Sequence, residues 1–178
     1  MATTDPIAPS GVTARPPASR RSRTAEDGNW DWVEAGPFRA HVRWLVEATG
    51  VDPVTVAELA GVPPRLVARL VGQRGRMLRR LPPHLARQLL LITPHGIATL
   101  RANQIPAGRV RRTLVTLARI GHGDAELALL TGLDPLRVSR YRLGLSDEID
   151  ECTEARVIGR IRAAGHEVEG ADPLGLAA

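Results

Sequence analysis

The sequence contains no lysine, a single cysteine and few aromatic residues. All 24 basic residues are arginine, and aromatic residues make up only 3% of the 178 residues. The hydrophobic content of 43% still allows a core, which must therefore be built from aliphatic side chains. Cys152 cannot form an intrachain disulfide, which is typical of a protein of the reducing cytoplasm. A GC-rich genome explains the choice of arginine over lysine, but not where the charges lie.

Other absences argue against membrane and enzyme classes. No apolar run approaches 18 residues, so no membrane span is predicted, and no apolar segment near the N-terminus indicates a secretory signal. The five histidines show no HExxH spacing, no CxxC is present, and no glycine-rich phosphate loop occurs. Acids beside Cys152 should raise the pKa of its thiol. We therefore predict no catalytic, metal or cofactor site.

Acidic residues are missing from one long block of the chain. Residues 59–123 hold 12 arginines and no Asp or Glu, whereas residues 1–58 hold 6 arginines and 8 acids. Residues 124–178 hold 6 arginines and 11 acids. A purely cationic block of this length predicts a polyanionic partner. The alternative is a basic surface that only keeps the protein soluble.

Helical periodicity, with glycine and proline at the boundaries, predicts an all-α protein. Residues 1–28 are rich in Ala, Ser, Pro and Arg without apolar periodicity, which predicts a disordered tail. We predict a first helical module over residues 29–102 and a second over residues 109–166, joined by a linker over residues 103–108. Residues 167–178 are expected to be frayed.

The two modules share a repeated pattern. Aligning the chain with itself at an offset of 71 residues superimposes matching residues: Gly50 on Gly121, Ala57 on Ala128, Gly61 on Gly132 and Pro64 on Pro135. Such self-similarity indicates an internal duplication of one helical unit. Two copies are too few for a solenoid, so we predict two tandem modules.

Each repeat has the residues that a helix-turn-helix requires. In the first repeat, Ala57 is small where two helices cross, Gly61 tolerates the positive φ of the turn, and Val62 fills the core. Val67 and Leu70 are spaced as the apolar anchors of a second helix. The corresponding residues of the second repeat are Ala128, Gly132, Leu133, Val138 and Tyr141.

Two consecutive prolines, Pro63 and Pro64, stand where the second helix should begin. Proline at the first helical position loses no hydrogen bond, and its fixed φ suits the helix. Pro64 also aligns with Pro135, which follows an aspartate in the second repeat. We therefore predict that Pro63-Pro64 starts the helix, although Pro63 lacks the side-chain oxygen of a usual N-cap.

The segment VTVAELAGVPPRLVARLVG is similar to the helix-turn-helix of phage-repressor-type bacterial regulators. After it come an arginine-rich loop, LPPHLARQLLLITP, GRVRRTLVTLARIG and a second helix-turn-helix. This order resembles that of tandem helix-turn-helix proteins from high-GC bacteria, their phages and mobile elements, over about residues 38–165. The resemblance implies that the second short helix of each unit lies in the major groove of double-stranded DNA.

In the first module, the resemblance assigns contacts with base edges to Arg65, Ala68, Arg69 and Gln73. Arginines four residues apart share a helix face, and an arginine fork fits guanine O6 and N7. Phosphate contacts, or an arm in the minor groove, are assigned to Arg74, Arg76, Arg79 and Arg80. The alternatives are a solvated arginine stripe and a mobile loop that codon bias has left basic.

The second module is a weaker candidate for reading DNA. Its candidate contacts are Arg137, Ser139, Arg140 and Arg142. Asp134 and the acids of residues 147–154 would repel phosphates if they faced the duplex. The sequence therefore leaves open whether this module binds DNA, forms a homodimer or docks a protein partner.

Together these patterns predict a sequence-specific transcriptional regulator that binds double-stranded DNA mainly through the helix over residues 64–71. Because the two halves differ, its site should be asymmetric. We expect a cytoplasmic, nucleoid-associated protein with no enzymatic activity, cofactor or metal. Two alternatives remain: a helical interaction module that docks a regulator or polymerase, and a sequence-nonspecific DNA-binding protein of the nucleoid or of mobile elements.

Overall fold

A computed structural model of the chain describes residues 32–168. This part folds into nine helices and four strands of only two or three residues each, which confirms the prediction of an all-α fold. No helix of this part is long and apolar enough to cross a membrane. The predicted tail, residues 1–28, lies outside the described residues, as does most of the segment over residues 167–178.

The elements follow one another along the chain in a repeated order. The first half contains β1 (Val33–Glu34), α1 (Gly36–Thr49), α2 (Pro53–Leu59), α3 (Pro64–Val71), β2 (Arg80–Leu81), α4 (Pro83–Leu91) and α5 (Pro94–Ala102). The second half contains β3 (Gln104–Pro106), α6 (Gly108–Arg119), α7 (Asp124–Thr131), α8 (Pro135–Leu143), β4 (Glu148–Asp150) and α9 (Glu151–Ala163).

Proline and short polar caps start most of these helices. Six of the helices have proline at one of their first two positions, where its missing N–H is no loss. Pro63 is the N-cap residue of α3 and makes no side-chain capping bond, while Pro64 is the first helical residue. The prediction that these prolines begin the helix is confirmed.

The internal repeat extends beyond the two helix-turn-helix pairs, α2–α3 and α7–α8. In each half, a strand before the three helices pairs with a strand after them: Val33 lies opposite Leu81, and Ile105 opposite Ile149. The same backbone bond recurs beside each pair, from Ala35 N to Arg79 O at 2.8 Å and from Ala107 N to Asp147 O at 2.7 Å. The repeated unit is therefore a strand, three helices, a strand and a helix, and α9 in the second unit corresponds to α4 in the first.

The segment between the units is fixed by hydrogen bonds. Residues 103–108, which we predicted to be a linker, contain strand β3, and β3 pairs antiparallel with β4. Glu151 N donates to Asn103 O at 3.1 Å, and the Asn103 amide donates to Glu151 Oε2 at 2.9 Å. The start of α9 is thereby held against the end of α5.

Each unit has its own aliphatic core, and α9 contributes to both. The first core contains Leu45, Leu70 and Leu89, and the second contains Leu114 and Leu127, all of them fully buried. Residues of α9 are divided between the two cores. Cys152 belongs to the first, whereas Val157, Ile158 and Ile161 belong to the second.

Helix α9 packs closely against α2 of the first unit. A Cβ atom at position 159 would lie 3.0 Å from Val54 O, so glycine is what allows the two helices to come this near. Two ion pairs flank this contact. Arg160 Nη2 lies 2.7 Å from Asp52 Oδ2, and Arg162 Nη1 lies 2.8 Å from Glu58 Oε1.

Asp52 serves both as the cap of α2 and as the ion-pair partner of α9. Its Oδ1 accepts a hydrogen bond from Thr55 N at 2.7 Å. Burial by itself would raise the pKa of Asp52, but the hydrogen bonds from Thr55 and Arg160 and the charge of Arg160 outweigh it. The pKa is lowered from its ordinary value of 3.8. The ionised carboxylate therefore stabilises the folded protein, fully above about pH 3.8 and less as the pH falls through the lower folded-state pKa.

The substitution Asp52→Asn should weaken the contact between α2 and α9 while keeping a capping side chain, because asparagine caps helices about as well as aspartate. We expect a loss of about 1–3 kcal/mol in the free energy of unfolding at neutral pH, the usual worth of a hydrogen bond to a charged group. The difference from the wild type should shrink as the pH falls below about 3.8, since the wild-type carboxylate is then protonated too. Urea unfolding at several pH values measures both effects.

Asp134→Asn is the matched control. Asp134 is exposed and caps α8 by accepting from Arg137 N at 2.8 Å, but it forms no ion pair with an arginine of another element within the described residues. Its replacement should therefore change the stability by less than the Asp52 substitution. Equal losses for the two variants would show that the ion pair with Arg160 contributes nothing.

Candidate nucleic-acid interface

The turn between α2 and α3 is tight and is closed by backbone hydrogen bonds. Gly61 has a φ of 63°, a conformation that side chains with a Cβ disfavour. Val62 N donates to Ala57 O at 2.9 Å, and the Val62 side chain is buried in the core. Val67 and Leu70 anchor α3 beneath its outer face, both of them fully buried. The orientation of α3 on α2 is thus fixed by the residues that the sequence pattern indicated.

The outer face of α3 presents two arginines. Arg65 and Arg69 are exposed, and Ala68 beside them is partly exposed. Arg65 forms no hydrogen bond or ion pair with any other described residue, and Arg69 Nε donates only one long bond, to Arg76 O at 3.4 Å. Both guanidinium groups therefore keep donors available for a ligand on this face.

The loop after α3 carries further unpaired arginines. Gln73, Arg74, Arg76 and Arg79 are exposed, and within residues 32–168 none of the three arginine side chains takes part in a hydrogen bond or ion pair. The loop turns at Gly72 and Gly75, with φ values of 84° and 57°. Arg80 differs from its neighbours, because its Nε lies 3.1 Å from Glu34 Oε1 across the β1–β2 pair. Its charge is partly balanced within the protein.

Two arginines of α1 hold this loop and the end of α3 in place. Arg39 Nε donates to Leu70 O, and its Nη2 donates to Leu78 O, both at 2.8 Å. Arg43 Nη2 donates a longer bond to Val71 O at 3.2 Å. Sequence reasoning missed this pair of residues. The only signal was their spacing of four, which puts them on one face of α1.

The second unit repeats this support. Arg111 follows Ala107 by four residues, as Arg39 follows Ala35, and its guanidinium lies over Gly144, where a Cβ atom would come within 2.7 Å of Arg111 Cζ. Gly144 ends α8 with a φ of 72°. An arginine of the first helix therefore covers the end of the third helix in both units.

Arg142 and Ser139, two candidate contacts of the second unit, are partly engaged or buried within the protein, whereas Arg140 is exposed. Arg142 Nε lies 2.9 Å from Asp124 Oδ1. Arg137 Nη2 donates to the Tyr141 hydroxyl at 3.4 Å, and Arg137 Cζ lies 6.0 Å from the centroid of that ring. Ser139 is partly buried.

Exposed leucines lie among the exposed arginines of α8. Leu136, at the position of Arg65 in the repeat, is 69% exposed. Leu143 and Leu145 are also exposed. The two units therefore share a framework but present different surfaces.

The acidic segment over residues 147–154 is used largely inside the protein. Asp150 caps α9 by accepting from Thr153 N at 2.8 Å, and Glu151 binds Asn103. Burial raises the pKa of Glu154, although the nearby Arg109 acts in the opposite direction. Asp150 and Glu151 thus hold the start of α9 in place.

A small polar cavity of 140 Å³ separates the N-terminal ends of α2 and α9. Its lining includes Cys152, Arg101, Arg156 and Arg160. Burial raises the pKa of the Cys152 thiol, while Arg101 acts to lower it. Among residues 32–168, no three His, Cys, Asp or Glu side chains are placed to share a metal ion.

Comparison with known proteins gives no relative from which a role could be transferred. No protein-family model matches the chain, and neither curated protein sequences nor solved structures give a significant match.

Arg39→Met should loosen the end of α3 and the arginine loop. Methionine keeps an apolar stem but cannot donate to the carbonyls of Leu70 and Leu78. We expect a loss of about 1–3 kcal/mol in the free energy of unfolding, because two partly buried hydrogen bonds from a charged group are lost. Hydrogen–deuterium exchange should rise selectively over residues 70–79.

Arg43→Met serves as the comparison, because Arg43 is exposed and donates only one bond of 3.2 Å. It should change the stability by less than about 0.5 kcal/mol. If both variants exchange alike over residues 70–79, then Arg39 does not hold the loop.

Proposed function

We propose that the protein is a transcriptional regulator that binds double-stranded DNA and reads the major groove with α3, the second helix of a helix-turn-helix. The observation that carries this proposal is the outer face of α3 together with its loop. There, Arg65, Arg69, Arg74, Arg76 and Arg79 have no acidic partner among the described residues. Since unneutralised guanidinium groups repel one another, such a surface is stabilised by a polyanion.

The geometry of α3 suits base edges. Arg65 and Arg69 lie one turn apart on a helix whose opposite face is anchored by fully buried Val67 and Leu70. A helix held in this way can enter a major groove, which is about 12 Å wide. Each arginine fork that binds guanine O6 and N7 contributes about 1–3 kcal/mol of discrimination. Ala68, with its short side chain, lets the backbone come near the bases.

The arginine loop suits the phosphates beside the groove. Arg74, Arg76 and Arg79 follow α3 directly, and the tether from Arg39 to Leu70 and Leu78 keeps them near its end. Contacts with phosphates set the register of a protein on DNA without reading its sequence. Arg80 is a weaker candidate, since its guanidinium is already shared with Glu34.

The second unit is better suited to contact protein than DNA. Leu136 stands where Arg65 stands in the first unit, Arg142 is paired with Asp124, and Leu143 and Leu145 are exposed. Leu136 and Leu143 are seven residues apart and so lie on one side of α8, and exposed apolar side chains on one face are typical of interaction surfaces. In this proposal the first unit supplies most of the DNA affinity, and the site on DNA is correspondingly asymmetric.

DNA affinity should fall steeply with salt. If the first unit neutralises about six phosphates, the logarithm of the binding constant should fall against the logarithm of the salt concentration with a slope near −5. Fluorescence anisotropy with a labelled duplex measures the slope. Selection from random duplexes then tests whether one sequence is preferred.

A salt-independent or undetectable affinity would overturn the proposal of DNA binding. A steep slope with equal affinity for every duplex would instead support sequence-nonspecific binding, the alternative role in the nucleoid or in mobile elements. A single enriched asymmetric sequence would support the regulator.

The arginines of α3 and of the loop should differ in what they contribute. Arg69→Ala should reduce the preference for the selected sequence by about 1–3 kcal/mol, because a bidentate base contact is lost. Arg79→Ala should weaken all duplexes alike and reduce the salt slope by about 1. Competition assays with selected and random duplexes distinguish these effects.

Arg119→Ala is the charge-matched control. Arg119 is exposed at the end of α6, in the second unit, and its removal changes the net charge by the same amount. Neither affinity nor preference should change much for this variant. If it weakens binding as strongly as Arg79→Ala, total charge rather than the loop determines the affinity.

A further inference from the structure

The contact between α2 and α9 has a counterpart in the repeat that is not formed within residues 32–168. In the repeat, α7 corresponds to α2 at an offset of 71, and α4 corresponds to α9 at an offset of 68. Burial supports both alignments, because Val56 and Leu127 are each fully buried, as are Leu89 and Val157. The surfaces equivalent to the two sides of the α2–α9 contact are therefore the outer faces of α7 and α4.

Both of these outer faces are uncovered. Leu129 on α7 takes the place of Glu58 and is 85% exposed. Leu91 on α4 takes the place of Gly159 and is 79% exposed. The repeat equivalents of these two leucines are packed together. Exposed leucines at such positions indicate surfaces that bind a partner.

The two free faces are both apolar where the α2–α9 contact is charged. On one side, Asp52 and Glu58 are replaced by Gly123 and Leu129, and on the other, Arg160 is replaced by Ile92. The ion pairs of the α2–α9 contact are therefore replaced by apolar residues on both sides. Leu91 also stands where Gly159 lets α9 approach Val54 O, so α4 would lie farther from α7 than α9 lies from α2, with leucine side chains between them.

The face of α4 continues into a groove that could receive a leucine. This groove has a volume of 320 Å³ and runs between the end of α4 and α5. It is lined mainly by apolar residues: Leu91, Ile92, Gly96, Ile97 and Leu100. Leu129 projects from α7 and is not covered by any residue between 32 and 168, and so presents a side chain of matching chemistry.

We infer that α4 of one copy of this chain binds α7 of a second copy, with Leu129 seated in the groove beside Leu91. The contact joins two unlike surfaces, as the α2–α9 contact does within the chain. Association through it is therefore head-to-tail, so that each copy uses one face and leaves the other for the next copy. This inference does not depend on the proposed DNA binding.

Such a contact is small, so the association should be weak and should depend on concentration. We expect sedimentation velocity of the wild type, from about 10 to 500 µM, to show dimers or longer chains forming as the concentration rises. Leu91→Asp and Leu129→Asp should each be monomeric throughout this range. Both positions are exposed, so both variants should keep the wild-type circular dichroism spectrum.

A mixture of the two variants tests directly whether the α4 face binds the α7 face. The Leu91→Asp chain keeps an intact α7 face, and the Leu129→Asp chain keeps an intact α4 face. An equimolar mixture can therefore form one wild-type contact and should give a dimer that grows no further. The control is Met77→Asp, which replaces an exposed apolar side chain of the loop after α3, outside both faces, and should associate like the wild type.

Three results would each overturn the inference. The wild type could stay monomeric at every concentration, which would leave the two faces to other partners. One single variant could still associate by itself, which would indicate a contact between like surfaces. Finally, the mixture could fail to form a dimer, which would show that the faces of α4 and α7 do not bind each other.

Discussion

The packing of α9 on α2 is the constraint on which the arrangement of the two units depends. Gly159 lets the helices approach until a Cβ would lie 3.0 Å from Val54 O, and Arg160 and Arg162 reach Asp52 and Glu58 of the other unit. Because α9 also buries Val157, Ile158 and Ile161 in the second core, one helix belongs to both. A repeat that could have given two separate domains is thereby held together.

This packing also shapes the electrostatics of the candidate interface. Asp52 and Glu58 are the acids that directly precede the basic block of residues 59–123. Both are engaged by arginines of the second unit, as Arg109 adds a further contact with Glu58 at 3.7 Å. The acids nearest to α3 in the sequence are therefore paired with arginines of the second unit. The arginines of α3 and its loop keep their charge available, which is why the proposed polyanion fits this face.

The two units show how one framework can support different surfaces. Positions that face the core are retained in kind, such as Val67 and Val138, both fully buried. Positions that face outward have diverged, since Leu136 stands in place of Arg65. Core positions are constrained by close packing, whereas outward positions are free to change with the partner. The proposed roles, DNA binding by the first unit and protein binding by the second, follow from that difference.

The sequence by itself determined the helices, their starts and the repeat, because these depend on residues near one another in the chain. Proline at the first helical position, the positive φ of Gly61 and the core spacing of Val67 and Leu70 are local properties. It also located the exposed arginines of α3. Only the tertiary structure decided which charges are free. The partners Arg80 and Glu34 are 46 residues apart, and Arg160 and Asp52 are 108 apart. It likewise decided that Cys152 belongs to the first core. No local pattern specifies such contacts, since they arise only when packed helices bring distant segments together.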